Sequence, residues 1–501
     1  MVKTTKNSQK LNVSFLRRNP FLFIDKLLKK FKDGEVYIVG GSVRDILLGL
    51  EINDCDFVVR NVKAKDLEKF LATQGKVNLV GKRFGVFKFK PKNSDLIDFD
   101  IALPRTEHSL NFRGVYKDFK IQSNPKLEIQ KDLARRDFTI NAMAWDVKNK
   151  ILIDEFGGLT DLKKKIIKTV GKPQDRFKED YSRMLRAIRF SCQLGFKIEL
   201  KTLTAIKKLM PHINDKVKGE RVVAYEVIAK ELLKSFTTNP IKAFDYFDKT
   251  GAFKTLMPEI LKMKGCPQPT NWHTEGDVWV HTRLGFEILS SNKFKRRFSQ
   301  KDNYDSELVM AVLFHDLGKP YTIKTPKDGA DRIRFNGHDA VGAKMTREIC
   351  TRLKLTSPSD FNFSCDNVAV MVGKHMLLVH GRPKEMKNTT IEKYFFKDAR
   401  MGENFLKLIF IDASATVPKS GKADMNLFNQ LTRRLKQLEK LQPKNKKTLA
   451  KPIITGHDIM KTYKLKQGKN IGKLIAVARE AQLAGKIKTK KQGLAYIKKH
   501  L

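Results

Sequence analysis

Acidic residues are in short supply in this chain. Its 501 residues hold 54 Asp and Glu against 99 Lys and Arg, a net charge of +45. A solvated surface does not need that excess, because self-repulsion opposes compactness. A polyanionic partner accounts for it, since phosphate contacts dominate nucleic-acid affinity. An anionic membrane surface and a generally Lys-rich composition are the alternatives. Cysteine is scarce too. Cys55, Cys192, Cys266, Cys350 and Cys365 are scattered with no CxxC spacing, which argues against a disulfide framework or a thiolate zinc site and fits a reducing cytoplasm. No run of about 18 apolar residues occurs, so no membrane span is expected. Residues 1–24 lack Asp and Glu but contain Lys3, Lys6, Lys10, Arg17 and Arg18. They read as a basic lead-in to a cytoplasmic protein, with an organellar transit peptide as the alternative. The sequence shows neither a secretory apolar segment nor an internal repeat.

What is present is enough apolar material for real cores, 41% of the chain, and a length that suggests about three compact units. Phe21, Ile24, Leu27, Leu28 and Phe31 recur at helical spacing and predict a helix over 20–32. Strand-like runs follow at 36–39, 55–59, 77–80, 86–89 and 96–101, with a helix from 42 to 48 between the first two. From 181 to 260 the apolar spacing becomes helical, and Cys266-Pro-Gln-Pro-Thr marks a boundary. The chain then divides into a lead-in (1–24), an α+β head (25–161), a helical neck (162–265), a helical region (271–440) and a small helical module (452–501).

Four segments carry chemistry in the first half. In Val39-Gly40-Gly41-Ser42-Val43-Arg44-Asp45 a strand runs through two glycines into a helix. Glycines let a triphosphate approach the backbone, a helix start offers free N–H groups, and Arg44 is one turn away from it. In Asn53-Asp54-Cys55-Asp56 the two carboxylates are i and i+2 on a strand and share a face. Such a pair suits magnesium, which takes carboxylate and phosphate oxygens, and two ions can serve an attacking hydroxyl and a leaving pyrophosphate. Asp98 and Asp100 repeat that spacing, and Asp100 is the preferred third carboxylate. In Arg135-Arg136-Asp137-Phe138-Thr139-Ile140-Asn141 the arginines suit a triphosphate. Asp137 and Asn141, at i and i+4 of a helix, suit a ribose. In Glu179-Asp180-Tyr181-Ser182-Arg183-Met184-Leu185-Arg186, Asp180 accepts and Arg183 donates at i and i+3. Together they mimic a base-pairing edge, while Arg186 continues that face toward a phosphate. Each segment alone has an ordinary structural counterpart: a strand–turn–helix, a solvated strand end, an acidic cap or an ion-paired helix. Gly-Gly…Arg…Asp-x-Asp in close succession is far more specific than any one part.

In this order the motifs resemble those of class II tRNA nucleotidyltransferases, the CCA-adding enzymes, and of bacterial poly(A) polymerases, both of the polymerase-β-like superfamily. The resemblance covers residues 30–270. It implies an α+β nucleotidyltransferase head followed by all-α neck and body regions. It implies that Asp54 and Asp56 hold Mg²⁺, that Asp137 touches the ribose, and that Asp180 and Arg183 read ATP and CTP through their pairing edges. Asp154-Glu155-Phe156-Gly157-Gly158-Leu159-Thr160-Asp161 resembles the family's hinge-like segment. Residues 103–120 stand where the family has a flexible loop tied to the switch from C to A addition, which favours full CCA or A addition. One departure is Tyr181, where the family often has proline. Gly81-Lys82-Arg83-Phe84 somewhat resembles a poly(A) polymerase stretch.

A second constellation lies in 271–416: His273 and His281, then His315-Asp316-Leu317-Gly318-Lys319, His338, His375, and finally Asp412. Mixed imidazole and carboxylate donors suit a borderline divalent metal, which can activate water against a phosphoester. The set His281, His315, Asp316 and Asp412 resembles the HD phosphohydrolase superfamily and implies a second divalent transition metal. His338 and His375 are candidates for extra ligands or phosphate binders. The HD resemblance also implies phosphatase or 2′,3′-cyclic phosphodiesterase activity, with a degenerate domain that only grips tRNA as the alternative. The Lys-rich tail resembles the short terminal module of several CCA enzymes.

The expected reaction is attack of a tRNA 3′-hydroxyl on the α-phosphate of CTP or ATP without a template. Asp54, Asp56 and Asp100 would be the catalytic carboxylates. Gly40, Gly41, Arg44, Arg136, Asp137, Asn141, Asp180, Arg183 and Arg186 would bind the nucleotide. The alternatives are a poly(A) polymerase, an A-adding-only enzyme, and an RNA-binding phosphohydrolase with an inactive head.

Overall fold

The computed structural model describes residues 11, 13–17, 19–51, 55–80, 86–92, 99–109, 119–301, 303–441 and 449–501. Asp54, Asp98 and residues 81–84 therefore lie outside the described residues. The chain forms two compact units: Met1–Ser235 with Asp245–Leu256, and Phe236–Phe244 with Met257–Leu501. The class is α+β, as expected, with the large sheet in the first unit and helices dominating the second.

The first unit is built on a seven-stranded sheet. Its strands are β1 (Glu35–Val39), β2 (Asp56–Arg60), β3 (Gly75–Val80), β4 (Val86–Pro91) and β5 (Phe99–Ala102). After a separate two-stranded antiparallel ribbon of β6 (Arg105–Ser109) and β7 (Phe119–Ser123) come β8 (Ala144–Asp146) and β9 (Ile151–Ile153). The large sheet runs β3-β4-β5-β2-β1-β8-β9. Only β2 and β5 pair in parallel within it; the other neighbours are antiparallel. The ribbon occupies part of the segment expected as a flexible loop.

Period-two alternation fixes what each face carries. Phe57, Phe87, Phe89, Phe99 and Ile101 are buried on one face. There they meet Phe21, the helix α1 (Phe23–Lys30) and the helix α3 (Ala64–Gln74), with Phe23–Phe89 and Phe21–Phe99 ring centroids 4.9 and 5.0 Å apart. Asp56 and Asp100 are out of phase with those aromatics, so both carboxylates emerge on the opposite face. The helix α2 (Gly41–Leu48) follows β1 directly.

The helix α4 (Ile129–Ala134) ends at Ala134, and Arg135 and Arg136 pair with the fully buried Asp132 three and four residues back. Asp137 and Asn141 therefore do not share a helical face. They bracket a tight turn whose 3₁₀ part is Thr139–Asn141. Next come α5 (Gly158–Lys163), α6 (Pro173–Glu179) and α7 (Ser182–Leu194). Asp180 has extended dihedrals between α6 and α7, so it precedes the helix that carries Arg183.

In the second unit the helices that matter are α8 (Val278–Ser290), α9 (Ser306–Phe314), α10 (His338–Arg352), α11 (Cys365–Lys374) and α12 (Ala399–Ala415). Gly318 follows α9 in a turn against the start of α10. A Cβ on it would lie 2.0 Å from the His338 carbonyl oxygen, so only glycine permits this approach. Three short helices, Gly456–Tyr463, Lys469–Leu483 and Lys490–Lys498, close on a small apolar core of their own. The Glu480 carboxylate accepts the Asn388 and Thr389 N–H groups, both at 2.8 Å, and so fastens this module to the unit. Among the described residues no helix is long and apolar enough to cross a membrane.

Two candidate active sites

In the first unit, the register of the parallel pair sets Asp56 directly beside Asp100. The Asp56 N–H donates to Ser42 Oγ at 3.0 Å, pinning the start of β2 to the first turn of α2. Lys88 faces Asp100 from β4, its Nζ 4.0 Å from Oδ1. Gly40 turns the chain from β1 into α2 at φ 70° and ψ −132°. A Cβ there would lie 2.5 Å from Arg136 Nη1, so glycine supplies both the turn and room for the guanidinium.

A chain of polar contacts links this turn to α7. Arg44 Nη1 donates to Asn141 Oδ1 at 2.7 Å, and Asn141 Nδ2 donates to Asp137 Oδ1 at 3.2 Å. Arg186 reaches Asp137 Oδ2 through Nε at 2.8 Å and Nη2 at 2.7 Å. The Phe138 N–H also donates to Asp137 Oδ1, at 2.8 Å. Burial pushes the Asp137 carboxyl up, but the Arg186 charge and hydrogen bond, with Arg183 and Asn141, outweigh it and hold the group at about 2. The Phe190 ring lies beneath three guanidiniums, those of Arg44, Arg186 and Arg189, at 5.2, 5.3 and 4.0 Å from its centroid. Nothing in the sequence separates Phe190 from an ordinary core position.

Asp180 and Arg183 are both buried, with Arg183 Nε 4.0 Å from Asp180 Oδ2. That exceeds a hydrogen bond. Arg183 instead donates to Glu179 Oε2 at 2.6 Å, and the Asp180 carboxylate accepts the Ser182 N–H at 2.8 Å. The pair stands together as the sequence suggests, but it is not joined directly.

In the second unit His281, His315, Asp316 and Asp412 converge. His281 Nε2 lies 3.1 Å from Asp412 Oδ1 and 3.8 Å from Asp316 Oδ2. His315 Nε2 lies 3.3 Å from Asp316 Oδ2 and 3.8 Å from Asp412 Oδ1. His338 and His375 join on the other side of Asp316, with Nε2 atoms 3.6 and 3.5 Å from Oδ1 and 3.1 Å from each other. The Nδ1 atoms of His315, His338 and His375 each meet the carbonyl three residues back, of Val312, Phe335 and Val372, at 2.9, 2.8 and 2.6 Å. A carbonyl only accepts, so each Nδ1 carries hydrogen and each Nε2 turns inward.

This donor set fits divalent cations. Two groups, His281–His315–Asp316 and Asp316–His338–His375, each bring three ligand atoms together and share Asp316. His315 Nε2 and Asp316 Oδ2 are buried without a hydrogen-bond partner. The Lys319 ammonium lies 2.7 Å from Asp316 Oδ2 as a charge contact that lacks hydrogen-bond alignment. Burial works against the charged form of His281, yet Asp412 and Glu275 raise it to about 9, so without a metal a proton holds that place. Burial lowers His338 to about 4, which leaves it a neutral donor. A cavity of about 690 Å³ opens on Asp316, His338, His375 and Asp412, with Lys319, Arg332 and Arg334 on its wall beside Trp272, Val379 and Phe428.

Three family patterns match the chain: the Poly A polymerase head domain at 36–168, the probable RNA and SrmB-binding site of polymerase A at 195–263, and the HD domain at 281–399. The multifunctional CCA protein of Nitrosospira multiformis is 34% identical over 362 residues, 71% of this chain and 76% of that protein. The chain belongs to the multifunctional CCA protein family. As a family member it is a nucleotidyltransferase with an HD domain. The multifunctional CCA protein of Neisseria gonorrhoeae is also 34% identical, over 71% of this chain and 77% of its own length. The Bacillus stearothermophilus CCA-adding enzyme in complex with CTP shares the fold at a TM-score of 0.63 and 21% identity, covering 96% of this chain and 98% of that one. The Thermotoga maritima CCA-adding enzyme complexed with tRNA-CCA does so at 0.57 and 21%, covering 98% and 96%. Against the family's frequent proline, Tyr181 stacks its ring on His212, 5.5 Å and 15° between them.

Proposed function

We propose that this multifunctional CCA family member adds C, C and A to the 3′ end of tRNA from CTP and ATP, and that its HD centre hydrolyses phosphoesters. The observation that carries the first reading is the pairing of Asp56 with Asp100 beside the Gly40–Arg44 turn. Asp56, with Asp54 and Asp100, would hold magnesium, whose chemistry is to neutralise charge on an attacking hydroxyl and a leaving pyrophosphate. Gly40 and Gly41 leave the helix start open to phosphate oxygens. Arg44, Arg136 and Arg186 supply positive charge along the triphosphate, and the Asn141–Asp137 link holds Arg44 and Arg186 in place. Asp180 and Arg183 offer an acceptor and a donor to the pairing edge of the incoming base. The basic surface holds the tRNA by its backbone, so binding weakens as salt rises.

In the HD unit, His281, His315, Asp316 and Asp412 would hold one divalent transition metal, with Asp316, His338 and His375 able to take a second. Such a metal supplies activated water. Lys319 and Arg332 on the cavity wall would take a phosphate, with Arg334 beside them paired to Asp331.

The deciding experiment supplies tRNA transcripts ending in the discriminator base, in –C or in –CC with magnesium and labelled CTP or ATP, with Asp56→Ala alongside. Growth that stops at CCA on all three, and is lost in the variant, is the expected result. Long A tails would make the protein a poly(A) polymerase. Addition of A alone to –CC would make it an A-adding enzyme.

A further inference from the structure

Four histidines turn Nε2 toward Asp316 and Asp412, and three of them are oriented by backbone carbonyls: His315 and His375 by the helices they end, His338 by the loop before its helix. His315, His338 and His375 each give Nδ1–H to the carbonyl three residues earlier. His281 differs, because its Nδ1 meets a side chain, Glu275 Oε1, at 2.8 Å. The same Oε1 takes His273 Nδ1 at 2.6 Å. The other oxygen, Oε2, accepts the Val417 N–H at 3.1 Å. Val417 lies just past the end of α12, the helix that carries Asp412. Thr274 reinforces the junction, its N–H and Oγ1 both donating to the Val417 carbonyl at 2.8 and 2.9 Å. The Glu275 side chain is only 4% exposed.

We propose that Glu275 is a positioning residue of the HD centre: it fixes the proton of His281 on Nδ1, aims Nε2 at the metal, and ties that histidine to the Asp412 helix. This rests on the metal-centre reading above. A carboxylate only accepts, so Nδ1 of His281 must donate, and in the neutral ring the Nε2 lone pair remains for a cation. Carboxylates that pin a ligand histidine in this way raise its basicity and stop the ring from flipping. With Oε2 on Val417, the same side chain sets the spacing between His281 and Asp412, whose facing atoms are 3.1 Å apart.

The test uses the full chain and cobalt(II), read by calorimetric titration and by the visible absorption band of the bound ion. Glu275→Gln keeps the shape and removes the charge. Cobalt affinity is expected to fall about 10- to 100-fold with an altered band, while nucleotide incorporation by the head is unchanged. Equal affinity and an identical band in wild type and E275Q would overturn the role of Glu275 and leave the metal centre standing. No cobalt binding by the wild-type chain would overturn the centre and the role together. Should E275Q unfold the chain, Glu275→Asp keeps the charge but withdraws it by one methylene. An intermediate loss supports the proposal, and wild-type affinity in E275D overturns it.

Discussion

Asp137 shows how much one carboxylate can organise. Both of its oxygens are in use: Oδ1 by the Phe138 N–H and Asn141, Oδ2 by Arg186. Asp137→Asn keeps the size, removes the charge and leaves Arg186 facing an amide. The loss of a charged hydrogen-bonded pair is expected to cost about 2 kcal/mol in a urea titration near neutral pH. It should also lower kcat/KM, because Arg186 loses its charged partner. The sign with pH follows from the carboxyl being held at about 2 in the folded chain and near ~3.9 when unfolded. A depressed carboxyl stabilises above its unfolded value, and that stability is lost as pH falls through the folded one. The deficit of D137N is therefore full above about pH 4 and closes toward pH 2. A deficit constant over that range would assign it to packing alone. Asp56 was legible as a candidate from residue type and strand spacing, whereas Asp137 was legible from residue type alone, its expected helical spacing being a turn. Glu275 was not, since its partner Val417 stands 142 residues away and its role exists only once α12 has folded against it.

At the scale of elements, spacing read correctly where one period dominated and failed where two fit. Alternating Phe-Asp-Ile in β5 put Asp100 beside Asp56 as expected. Between Arg135 and Asn141 the i, i+4 spacing of Asp137 and Asn141 fits a helix, but the structure makes a turn there whose 3₁₀ part is Thr139–Asn141. The break between α6 and α7 offers a sharper test. Tyr181 has φ −67°, which proline adopts, and Asp180 before it is extended, as the residue before proline prefers. Tyr181→Pro should therefore leave α7 and the Asp180–Arg183 spacing intact. The choice between ATP and CTP on tRNA ending in –CC would not change. The loss of the ring pair with His212 is expected to cost about 0.5–1.5 kcal/mol beyond the lost burial, partly offset by a stiffer unfolded chain. A shift in nucleotide choice would show that Tyr181 shapes the base pocket itself.

For the molecule as a whole, the head and most of the neck lie in one compact unit. The neck reaches into the head through Arg186 on Asp137, the Arg176 guanidinium on the Ala134 carbonyl at 2.7 Å, and the Thr139 N–H on the Lys168 carbonyl at 2.9 Å. Long-range polar contacts of this kind leave no trace in local periodicity. The two candidate sites differ in donor chemistry. The head offers carboxylates, Asp56 and Asp100 among the described residues, and hard oxygen donors suit magnesium. The HD centre offers four imidazoles with two carboxylates, a set that holds borderline transition metals more tightly. A chelator selective for transition metals, such as 1,10-phenanthroline, in the presence of excess magnesium should therefore divide the two reactions. CCA addition would persist, and hydrolysis of a test phosphoester would fall to background and return when cobalt or nickel is added back. Loss of both activities together would mean that the head depends on the HD metal. Loss of neither would mean that the imidazole cluster serves no metal chemistry.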